Sequence, residues 1–200
     1  MPPNQVLAST IAGSIARVNL GNLQAITIAE SHTDAVLKVV FDVGQNERFA
    51  TASMDGTIRV WDLVEYTVTA VARQCREQEG GSKPLCLAFA NILISGWSDG
   101  SVVAHNAEDG SSLWFLKDAH AGGVTALVLS HNRRFILTGG PQGEVRLWEL
   151  RSRELISHLK EHKQKVTALA LFEDDTLGIS GSRDRCMLRW DLRTEVSFIW

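Results

Sequence analysis

Apolar and polar positions alternate along Thr57-Ile58-Arg59-Val60-Trp61-Asp62, just after an Asp55-Gly56 pair and the small-residue run Thr51–Ser53. A strand sends successive side chains to opposite faces, so alternation beside an Asp-Gly turn predicts a β-hairpin with one buried face. An apolar run, Ala35–Phe41, and a turn at Gly44–Glu47 precede it. The pattern then returns three times. Leu85–Ala90 and Ile92–Gly96 are followed by Trp97-Ser98-Asp99-Gly100 and Ser101–Asn106. Val124–Ser130 and Phe135–Gly139 lead into GGPQGEVRLWEL, and Val166–Leu171 with Leu177–Gly181 lead into SRDRCMLRWDL. Upstream, Ile11–Leu20 reads as a degenerate copy with Val18 near the place of Trp61, and Gln24–Ile28 as a short outer strand.

The spacing of these copies sets the architecture. Trp61, His105, Trp148 and Trp190 stand at equivalent places and are 44, 43 and 42 residues apart. A period near 43, filled with strand signals, is that of a four-stranded propeller blade. Ala72–Gly80 has helical composition, but it is polar and reads as a connection after an outer strand. The expected fold is all-β: a β-propeller of antiparallel blades over residues 1–30 (partial), 31–73, 82–117, 119–159 and 161–200, making one partial repeat domain with four to five blades. Such an arc leaves apolar faces and strand edges uncovered. Together with the apolar stub Ser197-Phe198-Ile199-Trp200, this predicts a piece of a longer protein, or the product of an incomplete gene model, that aggregates when isolated.

Within the best copies a His precedes an Asp by about 22 residues, and that Asp precedes the Trp by six. The first gives His32, Ser53, Asp55 and Trp61, and the last gives His162, Ser182, Asp184 and Trp190. A buried indole N–H needs an acceptor, and a Trp–hydroxyl–His–carboxylate chain supplies one while orienting the imidazole. This His, S-x-D and W-D pattern resembles the WD-repeat family, whose structural tetrad the four residues match. The resemblance implies a propeller that usually closes at seven blades and binds proteins through turns and lead-in loops. Two copies depart from it. The third has Gly140 for Ser and Gln142 for Asp, keeping His120 and Trp148 as a partial tetrad. The second keeps Asp99 alone, with Trp97 at the Ser position and His105-Asn106 at the Trp-Asp position. Both are expected to be weaker and held by packing. The segments SHTDAVLKVVF, ISGWSDGSVVAHNAEDGSSLWFLKDAHAGGVTAL, TGGPQGEVRLWEL and LKEHKQKV are similar, in that order, to WD-repeat proteins of the motile-cilium axoneme, found inside doublet microtubules.

Composition narrows the function without naming it. The chain is 44% hydrophobic and 22% charged with a net charge of −3, which is globular composition with neither a basic block for nucleic acid nor an acidic tail. Cys75, Cys86 and Cys186 are odd in number and share no metal-binding spacing, so a reducing compartment is expected. No apolar run reaches the roughly 20 residues of a membrane span, and the first ten residues do not resemble a signal peptide.

Four sequences imitate sites. Ser53, His32 and Asp55 have the composition of a nucleophilic triad, but Trp61 completes a structural set. His158-Leu159-Lys160-Glu161-His162 fits H-x-x-E-H, which needs one helical face, whereas here it joins two strands. Gly139–Gly143 lacks the Lys-Ser/Thr end of a phosphate loop, and Glu173-Asp174-Asp175 lacks calcium-loop spacing. No catalytic group, cofactor, metal, nucleic acid, membrane or small-molecule substrate is therefore expected. The turns would present Met54, Ser98, Pro141 and Arg183, and the lead-in loops Thr33, Lys163 and Gln164. Met54, Lys163, Arg183 and Arg185 are the candidate partner contacts, with the three cations facing an acidic surface. The resemblance implies a non-enzymatic scaffold of the cilium or flagellum, in cytoplasm and cytoskeleton, with tubulin or axonemal microtubule proteins as partners. A cytosolic substrate receptor or signalling adaptor is the alternative.

Overall fold

The computed structural model describes residues 5–9, 15–27, 32–43, 47–65, 67–74, 81–194 and 196–199. Ile11, Ile28, Ser31, the turn residues 44–46, the 75–80 stretch with Cys75, and Trp200 lie outside them.

Nineteen strands form five sheets among the described residues. The first has three strands, β1 (Gln5–Ser9), β2 (Ile15–Asn19) and β3 (Ala25–Thr27), paired in that order. The next has four: β4 (Val36–Phe41), β5 (Arg48–Ser53), β6 (Thr57–Asp62) and β7 (Val68–Arg73). Three more four-stranded sheets follow, each in sequence order. They are β8 (Pro84–Ala90), β9 (Ile92–Trp97), β10 (Val102–Asn106) and β11 (Ser112–Leu116); then β12 (Ala126–Leu129), β13 (Phe135–Gly139), β14 (Val145–Glu149) and β15 (Leu155–Leu159); then β16 (Val166–Leu171), β17 (Leu177–Ser182), β18 (Met187–Asp191) and β19 (Val196–Ile199). This is the all-β class of antiparallel four-stranded blades expected from the 43-residue period. The described part of Ala72–Gly80 carries the end of β7 and no helix. Among the described residues no helix is long and apolar enough to cross a membrane.

The Trp register repeats from sheet to sheet. Trp61 stands opposite Phe49, Trp148 opposite Ile136 and Trp190 opposite Gly178. In two sheets the ladder to the outermost strand shifts beside the indole, between Val60 and Trp61 and between Leu147 and Trp148. A bulge there lets a large ring turn inward without breaking the inner ladder.

The chain divides into two compact units, Met1–Pro84 with Phe89–Leu93 and Ala104–Leu113, and Leu85–Ala88 with Ile94–Val103 and Trp114–Trp200. In the first, Phe49 and Trp61 stack at 5.9 Å with rings 8° apart, and Leu63 and Val68 pack around them. Buried Asp42 accepts bonds from Arg48 and from Asn91 N, and the Arg48 guanidinium lies over Phe89. In the second, Ala126, Leu137, Leu147, Leu159, Val166, Leu188 and Trp190 form the core. Successive sheets approach closely there because Gly139 has no side chain: a Cβ on it would stand 2.6 Å from Val166. Some large apolar side chains are exposed, among them Val39, Phe41 and Val43 in the first unit and Phe172 and Met187 in the second.

Candidate functional site

Two sheets carry a chain of hydrogen bonds that runs from a buried indole to a turn, and a third carries the inner part of it. In the β4–β7 sheet, Trp61 Nε1 donates to Thr51 Oγ1 at 2.8 Å, Thr51 Oγ1 lies 2.7 Å from His32 Nε2, and His32 Nδ1 lies 2.9 Å from Asp55 Oδ2. The β16–β19 sheet repeats this with Trp190, Ser180, His162 and Asp184 at 2.7, 2.7 and 3.0 Å. A carboxylate only accepts, so Nδ1 of each imidazole holds the proton and Nε2 accepts from the hydroxyl. Burial lowers the pKa of His32, although Asp55 opposes this, so the ring is neutral at pH 7. Burial pushes Asp55 up, but bonds from Thr57, His32 and Thr33 N more than offset that and hold it at about 2. Asp184 is likewise held well below its usual value, despite burial, by Lys163 N, Cys186 N and His162.

The hydroxyl in each chain is not the one expected. Ser53 and Ser182 stand outside it, and Thr51 and Ser180 take the place assigned to them. Strand geometry is the reason. Trp61 pairs with Phe49, so Thr51, on the same face, is about 7 Å along the strand and Ser53 about 13 Å, beyond the indole's reach. Ser53 Oγ instead donates to Asp34 O and accepts from Asp55 N, and Ser182 does the same with Gln164 O and Asp184 N. These serines tie the turn to the lead-in loop.

The third blade is more complete than its sequence suggests. Trp148 Nε1 donates to Thr138 Oγ1 at 2.9 Å, and His120 Nε2 lies 2.9 Å from the same oxygen. The carboxylate comes from Glu144, two residues beyond exposed Gln142, with Oε2 3.5 Å from His120 Nδ1 and 3.0 Å from Arg146. Gly140 has a positive reason to lack a side chain, since a Cβ on it would overlap His120 Nδ1. Restoring the family's serine by Gly140→Ser should therefore destabilise the chain by about 1–3 kcal/mol in urea unfolding, through overpacking. A neutral or stabilising result would mean that His120 has another place to go.

The second blade solves the same problem from another strand. Trp97 is fully buried on β9 and donates its indole N–H to Ser95 Oγ at 2.9 Å, and Ser95 in turn donates to Val103 O. His105, at the usual Trp place, lies 3.3 Å from Arg73 O. Asp99 accepts from Ser101 N and Oγ and so closes its turn. The sequence missed Glu144, Thr138 and Ser95 because it was read by motif position. Face parity, two residues from each expected site, was the signal for all three.

The imitation sites dissolve into these contacts. Both ring nitrogens of His162 are engaged, while exposed His158 lies on strand β15, 3.8 Å from Glu144. Asp174 binds Thr176 and closes its own turn, whereas Asp175 accepts from His131 N and Asn132 N and ties that turn to the one between β12 and β13. Gly143, at φ 84°, turns a hairpin against the His162 carbonyl. Among the described residues no group of three or more His, Cys, Asp or Glu is placed to hold a metal. On the turn side, Lys163, Arg183 and Arg185 are exposed with Thr33, Ser98 and Gln164, while Met54 and Pro141 are half-buried.

Residues 65–184 match the family model described as Vps8 beta-propeller, and residues 23–62 match the WD domain, G-beta repeat. The chain is 30% identical over 197 residues to cilia- and flagella-associated protein 52 of Homo sapiens, covering 94% of this chain and 30% of that protein. The protein of that name from Chlamydomonas reinhardtii is 31% identical over 176 residues, covering 84% and 27%. Striatin-4 of Homo sapiens is 27% identical over 172 residues, covering 82% and 23%. The chain thus spans less than a third of these relatives. A crystal structure of the computationally designed Ika8 protein superposes with a TM-score of 0.79 at 23% identity, over 99% of this chain and 58% of that one, which speaks to fold alone.

Proposed function

Because this chain belongs to the WD-repeat β-propeller family, we propose that it is a non-enzymatic protein-interaction scaffold of the cilium or flagellum. Its partners are tubulin or other doublet-microtubule proteins. The observation that carries the axonemal part is the likeness to cilia- and flagella-associated protein 52, along 94% of the chain for Homo sapiens and Mus musculus and 84% for Chlamydomonas reinhardtii. The site geometry supports the scaffold part. Of the residues with catalytic composition, His32 and Asp55 are committed through Thr51 to an indole and Ser53 to the turn, while the exposed polar groups belong to turns locked by those bonds. Such turns change little on binding, and a pre-ordered surface loses less entropy on association.

The test is the location of the tagged full-length protein in a ciliated cell. The expected result is signal along the axoneme that resists detergent extraction. A diffuse cytosolic signal would overturn the axonemal reading and leave a scaffold with other partners.

A further inference from the structure

Two turns of this molecule share one hydrogen-bond frame and differ in what they display. In the β4–β7 blade, Thr33 N donates to Asp55 Oδ2, Met54 N to Ala35 O, Ser53 Oγ to Asp34 O and Asp55 N to Ser53 Oγ, at 2.9–3.2 Å. In the β16–β19 blade, Lys163 N donates to Asp184 Oδ2, Arg183 N to Lys165 O, Ser182 Oγ to Gln164 O and Asp184 N to Ser182 Oγ, at 2.8–3.2 Å. The first blade closes this frame with Thr33, Asp34, Ala35, Met54 and Gly56. The last closes it with Lys163, Gln164, Lys165, Arg183 and Arg185. The frame asks for no cation, yet one copy carries four where the other carries none.

These charges are only partly offset by the Asp184 carboxylate at their centre. Lys163, Arg183 and Arg185 are exposed and Lys165 is half-buried. Among the described residues none of the four stands in an ion pair. The carboxylate at their centre, Asp184, is occupied by His162, Lys163 N and Cys186 N. Arg185 also holds a left-handed backbone, φ 71°, where Gly56, Gly100 and Gly143 sit at φ 80°, 90° and 84° in the other blades. Glycine would be the unstrained choice there.

We propose that Lys163, Lys165, Arg183 and Arg185 form a docking site for an acidic, extended segment of a partner protein, whose carboxylates pair with the four cations. This rests on the scaffold reading and names the chemistry of one partner. Four cations on two neighbouring loops suit a short acidic stretch, whereas the net charge of −3 on the whole chain repels a long polyanion such as nucleic acid.

Fluorescence anisotropy with the full chain and a dye-labelled oligoglutamate peptide tests this. Saturable binding that weakens as salt rises is expected, and Lys163→Gln with Arg183→Gln should weaken it by about tenfold or more. Arg185→Gly gives the sharper readout. It removes a charge and relieves the left-handed backbone, so binding should weaken while the melting temperature holds or rises. Equal affinity of parent and variants, or tighter binding of oligothymidylate or of phosphatidylserine vesicles through the same four residues, would overturn the proposal. Peptide binding by a protein absent from cilia would instead refute only the axonemal reading.

Discussion

Trp190→Ala is expected to lower stability by about 3–5 kcal/mol, the cost of removing a large buried aromatic and leaving a cavity. Trp190 is 1% exposed, sits in a core with Leu137, Val166 and Leu188, and meets the His162 ring edge-on at 6.4 Å. Its indole also anchors Ser180, so the loss combines packing with a broken polar chain. Trp190→Phe keeps most of the apolar contact while removing the donor and part of the ring, for which a smaller loss of about 1–2 kcal/mol is expected. The hydroxyl variants separate the two serines of this blade. Ser180→Ala leaves a buried indole N–H and His162 without their shared partner and should lower stability by about 1–3 kcal/mol. Ser182→Ala, near solvent, should lose less. Urea unfolding followed by far-UV circular dichroism ranks all four. Equal losses at Ser180 and Ser182 would refute the assigned polar chain.

Stability should fall over two successive pH intervals as acid is added. Burial, with help from the Arg146 charge and against the pull of Glu144, holds His120 down to about 4 from an ordinary 6.5. Burial lowers His32 and His105 as well. Once unfolded, these rings take up protons near pH 6.5, whereas in the folded chain they resist until lower pH. The unfolded state therefore binds more protons across that interval, and stability falls as pH drops from 6.5 toward 4. The carboxylates act in the next interval. Asp55 is held at about 2 against 3.8 unfolded, so its contribution is intact above 3.8 and is lost as pH falls toward 2. A urea midpoint flat from pH 7 to 4 would contradict the buried, neutral histidines. His120→Gln should flatten the upper interval, even though it also weakens the fold at pH 7.

The sequence made the strands, their period, and the Trp, His and Asp of the two regular blades legible, because each is fixed by its distance from a turn. Depth was harder to read. Thr51 and Ser53 share a face and a chemistry, and only the register, with Phe49 opposite Trp61, says which one an indole reaches. Glu144 escaped notice for a related reason: its longer arm begins two residues past the motif's Asp and reaches the same imidazole. Trp97 and Ser95 show a blade that satisfies its indole from a different strand, which no motif position encodes. The cations of the last turn were visible in the sequence. What makes them informative is that the same frame, built from the same bonds, is closed without them around Met54.

The most direct test of the scaffold reading is co-sedimentation of the full-length protein with purified axonemal doublet microtubules over a range of microtubule concentrations. Saturable pelleting, reduced by salt and by the Lys163→Gln/Arg183→Gln pair, is the expected result. Protein that stays in the supernatant at every concentration while remaining folded would contradict it.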